Sequence, residues 1–209
     1  MKAQYHRQIT NQALDKQISI AALKVIIRAN CAQDALRYQV GYDHFHYDNN
    51  AFRAGDAYLE EMRRLIAASL ALGQVLAAWQ AFGRMLHAAQ DFYAHSNYIT
   101  LWCERHPDVK PEQIAPLLLD VLNDPRLRSG RLYYPLEVLS FLPVLRPLIL
   151  PLLPRDSHAW MNKDDPSRPG FDFACAAAVK RTTFEFEKTA QLLSPSQLAL
   201  FADHLTSNI

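Results

Sequence analysis

Apolar residues recur every three or four positions along most of this chain, which is the spacing of one face of an α-helix. The pattern predicts helices over residues 8–30, 56–72, 74–103, 112–123, 173–193 and 195–206. No segment alternates apolar and polar residues convincingly, as a half-buried strand would. The sequence therefore predicts an all-α fold, built as a single compact multi-helix domain over residues 1–209.

Length and charge narrow the classes of function. With 209 residues, the chain is long enough for one good-sized core and short for two. Its 22 Lys and Arg residues nearly balance its 21 Asp and Glu residues. A near-neutral chain has no general electrostatic attraction for nucleic acid, although a local basic patch stays open. Nucleic acid is therefore the less favoured partner.

The cysteines and the start of the chain bear on the cellular compartment. Cys31, Cys103 and Cys175 are odd in number and form no C-x-x-C pair, which fits a reducing compartment better than a disulfide framework. The first residues lack the apolar core of a secretory signal. Cytoplasmic residence is the default prediction, and export by a route without such a signal is the alternative.

The most informative motif lies in the predicted helix 74–103, where His87, Asp91 and His95 follow one another at intervals of four. Such spacing places the three side chains on one helix face. Apolar residues surround the motif, so the helix is expected to be buried nearly all round. Buried imidazole and carboxylate groups need hydrogen-bond partners or a metal ion. The motif favours a metal site over a set of hydrogen-bonded polar residues.

A second cluster of potential ligands occupies residues 43–50. His44, His46 and two acids, Asp43 and Asp48, lie within six residues of one another in a predicted loop. We favour metal binding for this cluster. The alternative is a polar loop whose Asn and Asp residues cap the next helix, a role that Asp56 would fill equally well.

A third polar cluster, residues 156–166, contains His158, Lys163 and Asp164. Its simplest interpretation is a charged surface turn. The apolar segment before it, residues 139–154, carries four prolines and Arg146, which makes it unfit for a straight membrane-spanning helix of about 20 residues. It is either an irregular part of the core or an interfacial loop or lid that contacts lipid through Phe141 and Leu145.

Four pieces of the sequence, in order, resemble the Het-C-type proteins. That group is similar to the zinc-dependent phospholipases C, whose fold also hosts single-strand nucleases. The pieces are residues 5–10, 46–52, 82–97 and 162–166, and the most specific is the run Leu-His-Ala-Ala-Gln-Asp-Phe-Tyr-Ala-His-Ser-Asn that ends at Asn97. The resemblance implies a helical domain of the phospholipase C type that holds two to three Zn²⁺ ions.

The resemblance also implies which residues hold the metals. Six ligands match its motifs: His6, His46, Asp48, His87, Asp91 and His95. Asp91 matches an acid that bridges two metals, and Asp48 matches a ligand also considered as the general base, which makes it the catalytic candidate. Candidate additional ligands are Asp34, His44, His158 and Asp164.

The chain departs from the resembled phospholipases in three respects. It begins with Met1 and Lys2, whereas those enzymes use the amino group of a processed terminal Trp as a ligand. His95 follows Asp91 by a shorter interval than their third-metal histidine. The later His-x-x-x-Glu pair has no clean counterpart, although His158 is available from another segment. These departures favour two firmly held metals and a doubtful third.

The chemistry implied is hydrolysis of a phosphodiester. Zn²⁺ ions lower the pKa of a bound water and hold phosphate oxygens, while Asp48 accepts the water's proton. The residues expected to orient ligands or touch the phosphate are Gln90, Ser96, Asn97 and Lys163. The leading prediction is a zinc-dependent, phospholipase C-like hydrolase that acts on phospholipid and contacts a membrane peripherally. The alternatives are a nuclease of the same fold, or a non-catalytic, metal-stabilised helical module that binds lipid or a protein partner.

Overall fold

The computed structural model describes residues 1–142 and 144–203. Within them, twelve α-helices follow in chain order: α1 (Ala3–Leu14), α2 (Ile20–Cys31), α3 (Asp43–His46), α4 (Phe52–Ala71), α5 (Val75–His95), α6 (Tyr98–Arg105), α7 (Leu119–Leu122), α8 (Leu136–Ser140), α9 (Arg146–Ile149), α10 (His158–Met161), α11 (Phe171–Ala190) and α12 (Pro195–Ala202). Extended pairing in the described residues is limited to two isolated β-bridges. The prediction of an all-α fold is confirmed.

Helix α5 is the centre of the molecule. Helices α2, α4 and α11 pack around it, and α1 lies between α2 and α11. From Ala81 onward the apolar side chains of α5 point in every direction, so this part of the helix is buried nearly all round, with Phe82, Met85 and Tyr93 fully enclosed. The first two turns expose Leu76 and Gln80. Gly83 permits the closest approach, because a Cβ atom there would lie 2.3 Å from the backbone oxygen of Ile26 in α2.

The second half of α5 brings polar groups into this apolar interior. His87, Gln90, Asp91 and His95 are all buried, since every face of the helix at this level is covered. The helix ends at His95, and Ser96 is extended. The polar side chains of α5 therefore depend on neighbouring segments for partners.

Several predicted helix boundaries were wrong, and two of the errors have a local cause. The predicted helix 8–30 is two helices, because Ser19 caps α2 by accepting a hydrogen bond of 3.1 Å from the backbone N–H of Ala22. The predicted helix 74–103 stops at His95 and resumes as α6. The predicted helix 112–123 reduces to a 3₁₀ turn at Pro111–Gln113 and to α7, with Pro116 between them.

The remaining predicted helices are present in the structure and differ from the prediction only at their ends. Helix α4 begins at Phe52, so Asp56 lies inside it and accepts a hydrogen bond from the Tyr47 hydroxyl instead of capping it. Gly73 follows α4 with a left-handed φ of 70°, as expected of a glycine at a helix end. Helix α12 stops at Ala202, and the predicted continuation over residues 204–206 lies outside the described residues.

The apolar segment 139–154 folds as parts of two short helices, α8 and α9, followed by a 3₁₀ turn, Leu150–Leu152. Phe141 is exposed, whereas Leu145 is only half-buried rather than fully open to solvent. Of the ten large apolar side chains described in the segment, five are exposed and only Leu153 is buried, which argues against its interpretation as core. Across the described ranges, no helix combines the length and the apolar character needed to cross a membrane.

Candidate metal centre

Segments distant in sequence meet around the buried polar face of α5. We name the result the His–Asp cluster: His6, Asp34, His46, Asp48, His87, Asp91, His95, His158 and Asp164. Helix α1 supplies His6, α3 supplies His46, α5 supplies three members, and α10 supplies His158. Tyr47 has a left-handed φ of 57°, and this turn directs both His46 and Asp48 inward. The three polar motifs of the sequence are therefore one cluster in space.

The first ligand group consists of His6, Asp34, His87 and Asp91, each of which has a ligand atom within 4.8 Å of the others'. His87 Nε2 lies 3.0 Å from Asp91 Oδ2 and 3.8 Å from Asp34 Oδ1. His6 Nε2 lies 3.2 Å from Asp91 Oδ1. The rings of His6 and His87 stack with centroids 4.3 Å apart, so both present their edges to the same carboxylate.

His46 adds a further nitrogen to this group. Its Nδ1 lies 3.0 Å from Asp91 Oδ2 and 3.1 Å from His87 Nε2. A tetrahedral metal with ligands at about 2.0–2.1 Å separates its ligand atoms by about 3.3 Å. The three atoms are therefore spaced closely enough to share one metal ion.

The second ligand group consists of Asp48, His95 and His158. His158 Nδ1 lies 2.9 Å from Asp48 Oδ1, and His95 Nδ1 lies 3.5 Å from Asp48 Oδ2. Asp164 faces the same group, with one oxygen 3.3 Å from His95 Nε2 and the other 3.9 Å from His158 Nε2. Asp91 stands between the two groups, because its Oδ1 is 3.9 Å from His95 Nε2.

Three imidazoles share an arrangement that sets their tautomers. His6 Nδ1 lies 2.6 Å from the amide oxygen of Gln90, His87 Nδ1 lies 3.3 Å from that of Asn30, and His95 Nδ1 lies 2.9 Å from the backbone oxygen of His46. An oxygen of this kind only accepts, so each Nδ1 carries the proton. In a neutral ring, such as His87, Nε2 is then a free lone pair. Burial would lower the pKa of His95, but Asp91 and Asp48 raise it well above its usual value, so its Nε2 carries a proton toward Asp164 until a metal displaces it. All three Nε2 atoms face cluster carboxylates.

Two ring nitrogens of the cluster are orphaned. His6 Nε2 and His46 Nε2 are buried and make no hydrogen bond with any described residue. Leaving a buried polar atom without a partner costs about 1–3 kcal/mol. The cluster is therefore incomplete as a hydrogen-bond network, and a cation bound at His6 Nε2 would supply a partner there.

The charges of the cluster favour a cation. Burial alone would raise the pKa of Asp91, but the Met1 amino group and His95 hold it well below its usual range. Burial likewise opposes ionisation of Asp48, yet His158 and His95 keep its pKa low. Asp91 and Asp48 are thus ionised, whereas burial and Asp91 raise the pKa of Asp34. Burial lowers the pKa of His87, which keeps that ring neutral and able to bind a metal.

The amino group of Met1 also lies in the cluster. It contacts Asp91 and lies 3.3 Å from Asp164 Oδ1 and 3.5 Å from His95 Nε2. Burial lowers the pKa of this amine, but Asp164 and Asp91 more than compensate and raise it to about 11. It adds one positive charge to a cluster that holds four carboxylates, Asp34, Asp48, Asp91 and Asp164.

The structure separates some predicted site residues from the cluster. His44 is half-buried beside Phe45 and Tyr58 and belongs to neither ligand group. Ser96 Oγ accepts a hydrogen bond from the backbone of Tyr98. Asn97 is bonded to the backbone of residues 126 and 128.

Lys163 and Asn30 support the His–Asp cluster from outside both ligand groups. Lys163 donates to the backbone oxygens of Ser96 and Met161, and burial lowers its pKa to about 8, so it secures the loop that carries Asp164. Asn30, which the sequence analysis missed, orients His87. In the sequence, the feature that could have indicated this role is a single Asn among the apolar residues of α2.

Comparison with known proteins places the chain in a family. The family model described as the VWA7 N-terminal domain matches residues 2–112. The chain is 42% identical over 88 residues to von Willebrand factor A domain-containing protein 7 of Rattus norvegicus. The matched residues make up 42% of this chain and 10% of that protein. The Homo sapiens protein of the same name is 42% identical over 82 residues, 39% of this chain and 9% of the relative.

The mouse protein of that name is 41% identical over 88 residues, 42% of this chain and 10% of the relative. The similarity thus spans about a tenth of the length of these relatives. No solved structure matches the chain significantly.

These findings correct the sequence analysis. Assignment to the Het-C-type proteins was wrong, because the matching family and the relatives are named for von Willebrand factor A domain-containing protein 7. The inferred zinc-dependent phosphodiesterase, with its hydrolase and phospholipase C descriptions, rested on that assignment and is wrong for the same reason. The ligand groups now stand on geometry alone. Because its family model covers residues 2–112 of 209, the chain belongs to the VWA7 N-terminal domain family.

Proposed function

We propose that this domain is a metal-stabilised helical module whose His–Asp cluster binds two divalent transition-metal ions. The observation that carries the proposal is the arrangement of His6, His87 and His95. Each ring is fixed through Nδ1 by an oxygen acceptor and turns Nε2 toward ionised carboxylates. Ligating histidines in proteins are commonly held in this way by a neighbouring oxygen.

Zn²⁺ is the ion that the donor set suits best. Imidazole nitrogen and carboxylate oxygen are common zinc ligands, and the cluster lacks the all-oxygen coordination that Mg²⁺ and Ca²⁺ prefer. One ion would be held by His87 and Asp91 with His6, His46 or Asp34. The other would be held by the second ligand group, with Asp164 beside it.

Burial supports a stabilising rather than a catalytic role. His6, His87 and Asp91 have no exposed surface, and Asp48 and His95 are nearly as enclosed. Structural zinc sites are closed by protein ligands, whereas catalytic sites keep one position open to substrate. The ligands also come from segments far apart in the sequence, so bound metal would tie α1, α3, α5 and α10 together.

Metal titration of the chelator-treated protein tests the proposal. We expect about two Zn²⁺ per chain by elemental analysis after reconstitution and desalting. His87→Gln should weaken binding at the first ligand group by at least about tenfold, since it removes a ligand. His44→Gln, which changes a histidine outside both groups, is the matched control and should bind as the parent does. Fewer than one ion per chain, or equal binding by His87→Gln, would contradict the proposal.

A further inference from the structure

The hairpin of α8 and α9 presents a concentration of large apolar side chains to solvent. Of the 18 such side chains that are exposed in the described residues, seven lie within residues 134–152. We name them the apolar surface: Tyr134, Val138, Phe141, Leu142, Val144, Leu148 and Leu152. Val144 is 85% exposed and Leu148 is 70% exposed. Exposed apolar residues are ordinary when scattered, but a concentration of them marks an interaction surface.

Hydrogen bonds to Ala159 and Trp160 hold the segment that carries the apolar surface against the rest of the chain. The exposure of its apolar side chains is therefore a feature of the fold. Trp160 Nε1 donates to the backbone oxygens of Leu150 and Leu153, at 3.0 and 3.2 Å. The buried carboxylate of Glu137 accepts a 2.6 Å hydrogen bond from the backbone of Ala159. Leu153 is itself buried. These contacts fix one side of the hairpin against the rest of the chain and leave the other side facing outward.

Positive charge lies along this segment. Residues 138–155 contain Arg146 and Arg155 and no Asp or Glu, and the acid within the range of the apolar surface, Glu137, is buried and accepts hydrogen bonds from the backbone. The Arg155 guanidinium lies over the ring of Trp160, 3.9 Å from its centroid, which holds one cation beside the apolar side chains. In a bilayer, acyl chains lie beneath headgroups, some of which are anionic. Exposed aliphatic side chains match the acyl chains, and neighbouring arginines match the anionic headgroups.

The aliphatic character of the most exposed side chains favours a bilayer over a protein as the partner. Binding hot spots on proteins are enriched in Trp, Tyr and Arg, whereas Leu and Val are under-represented in them. The most exposed members of the apolar surface are Val144, Leu148 and Leu152. Transfer of such aliphatic side chains from water into any apolar medium is favourable and requires no pocket of matching shape.

We propose that the apolar surface docks onto a phospholipid bilayer that contains anionic headgroups. Val144, Leu148 and Leu152 enter the acyl boundary, and Arg155 and Arg146 lie at the level of the phosphates. The hairpin lies in the interface and does not cross the membrane, because its helices are only four or five residues long. This inference does not depend on the metal proposal.

Vesicle flotation tests the inference. We expect the wild-type chain to float with vesicles of phosphatidylcholine and phosphatidylserine at 4:1, and to bind pure phosphatidylcholine at least about tenfold more weakly. The double variant Leu148→Ser/Leu152→Ser should lose at least about tenfold in binding to the mixed vesicles. The matched control is Leu72→Ser/Leu119→Ser, because those leucines are 72% and 68% exposed, against 70% and 65% for Leu148 and Leu152.

Three outcomes would overturn the inference. The first is wild-type protein that stays unbound with both kinds of vesicle. The second is equal loss of binding in the Leu148/Leu152 variant and in its control. The third is a wild-type dimer in size-exclusion chromatography that the Leu148/Leu152 variant abolishes while neither protein binds vesicles, which would assign the surface to a second copy of the chain. Melting temperatures measured alongside confirm that both variants are folded.

Discussion

Two clusters of buried charge lie on different sides of α5, and they are built on opposite principles. The buried ion triad joins Arg63 of α4 to Glu185 and Arg181 of α11. Arg63 Nη2 donates to one oxygen of Glu185 at 2.5 Å, and Arg181 Nε donates to the other at 2.6 Å. Arg63 also donates to Glu60 at the rim. The triad and Glu60 together balance two positive charges with two negative ones.

The His–Asp cluster has no such balance. Four carboxylates face five imidazoles and the Met1 amine, and two ring nitrogens are left without a hydrogen bond. Both clusters are enclosed, so burial alone does not distinguish a site that binds a ligand from one that only supports the fold. The difference lies in the charge balance and in what each cluster leaves unpaired. The triad with Glu60 balances its charges and leaves one buried donor, Arg63 Nε, without a hydrogen bond, whereas the His–Asp cluster leaves two buried histidine nitrogens.

The largest expected effect comes from breaking the triad. Glu185→Ala leaves two buried guanidinium groups without their shared carboxylate, which should lower the free energy of unfolding by about 3–5 kcal/mol. Urea denaturation with and without Zn²⁺ measures this. The loss should be the same in both conditions, because the triad contributes no ligand. Glu187→Ala changes an exposed acid on the same helix and should cost no more than about 0.5 kcal/mol.

The second effect is removal of metal from the other cluster. At free Zn²⁺ of 100 times the dissociation constant, each bound ion should add about 2.7 kcal/mol of stability, or about 5–10 °C in Tm. Thermal denaturation before and after chelation checks this on the parent and on His87→Gln. The variant should respond less to zinc. A parent Tm that chelation leaves unchanged would remove the distinction between the two clusters.

The third effect is the pH dependence of the triad. Burial would raise the pKa of Glu185, but Arg181 and Arg63 lower it below its usual value. A group with a lowered folded-state pKa stabilises the fold above its unfolded pKa of about 4.3, and this contribution disappears as pH falls further. In chelated protein, stability measured from pH 6 to pH 3 should therefore fall more steeply in the parent than in Glu185→Gln. Parallel curves would show that the triad is not the acid-sensitive element.

The smallest effect concerns a histidine that the sequence placed among the candidate ligands. His44 is half-buried beside aromatic rings and lies outside both ligand groups. His44→Gln should change the free energy of unfolding by about 0.5 kcal/mol or less and leave the zinc response of Tm intact. Loss of the zinc response in this variant would mean that the ligand groups are drawn incorrectly.

The sequence predicted a helix most reliably where apolar residues recur at helical spacing over many turns. Helices α4, α5 and α11 are of this kind, since their apolar positions recur over about five turns. The failures lie where a local contact interrupts a continuous pattern, as Ser19 does before α2 and Pro116 does before α7. The motif of His87, Asp91 and His95 was visible because all three residues lie on one helix. The family assignment was wrong because short motifs around histidines do not by themselves identify a family.

The sequence by itself determined that the chain is helical, that α5 is buried, and that α5 carries three potential ligands on one face. These properties depend on spacing within a single element, which the covalent chain sets directly. Only the tertiary structure decided that Asn30 orients His87, that His44 lies apart, and that the hairpin near Leu148 faces outward. Such relations depend on distances between segments far apart in sequence, and those distances are set by packing around α5.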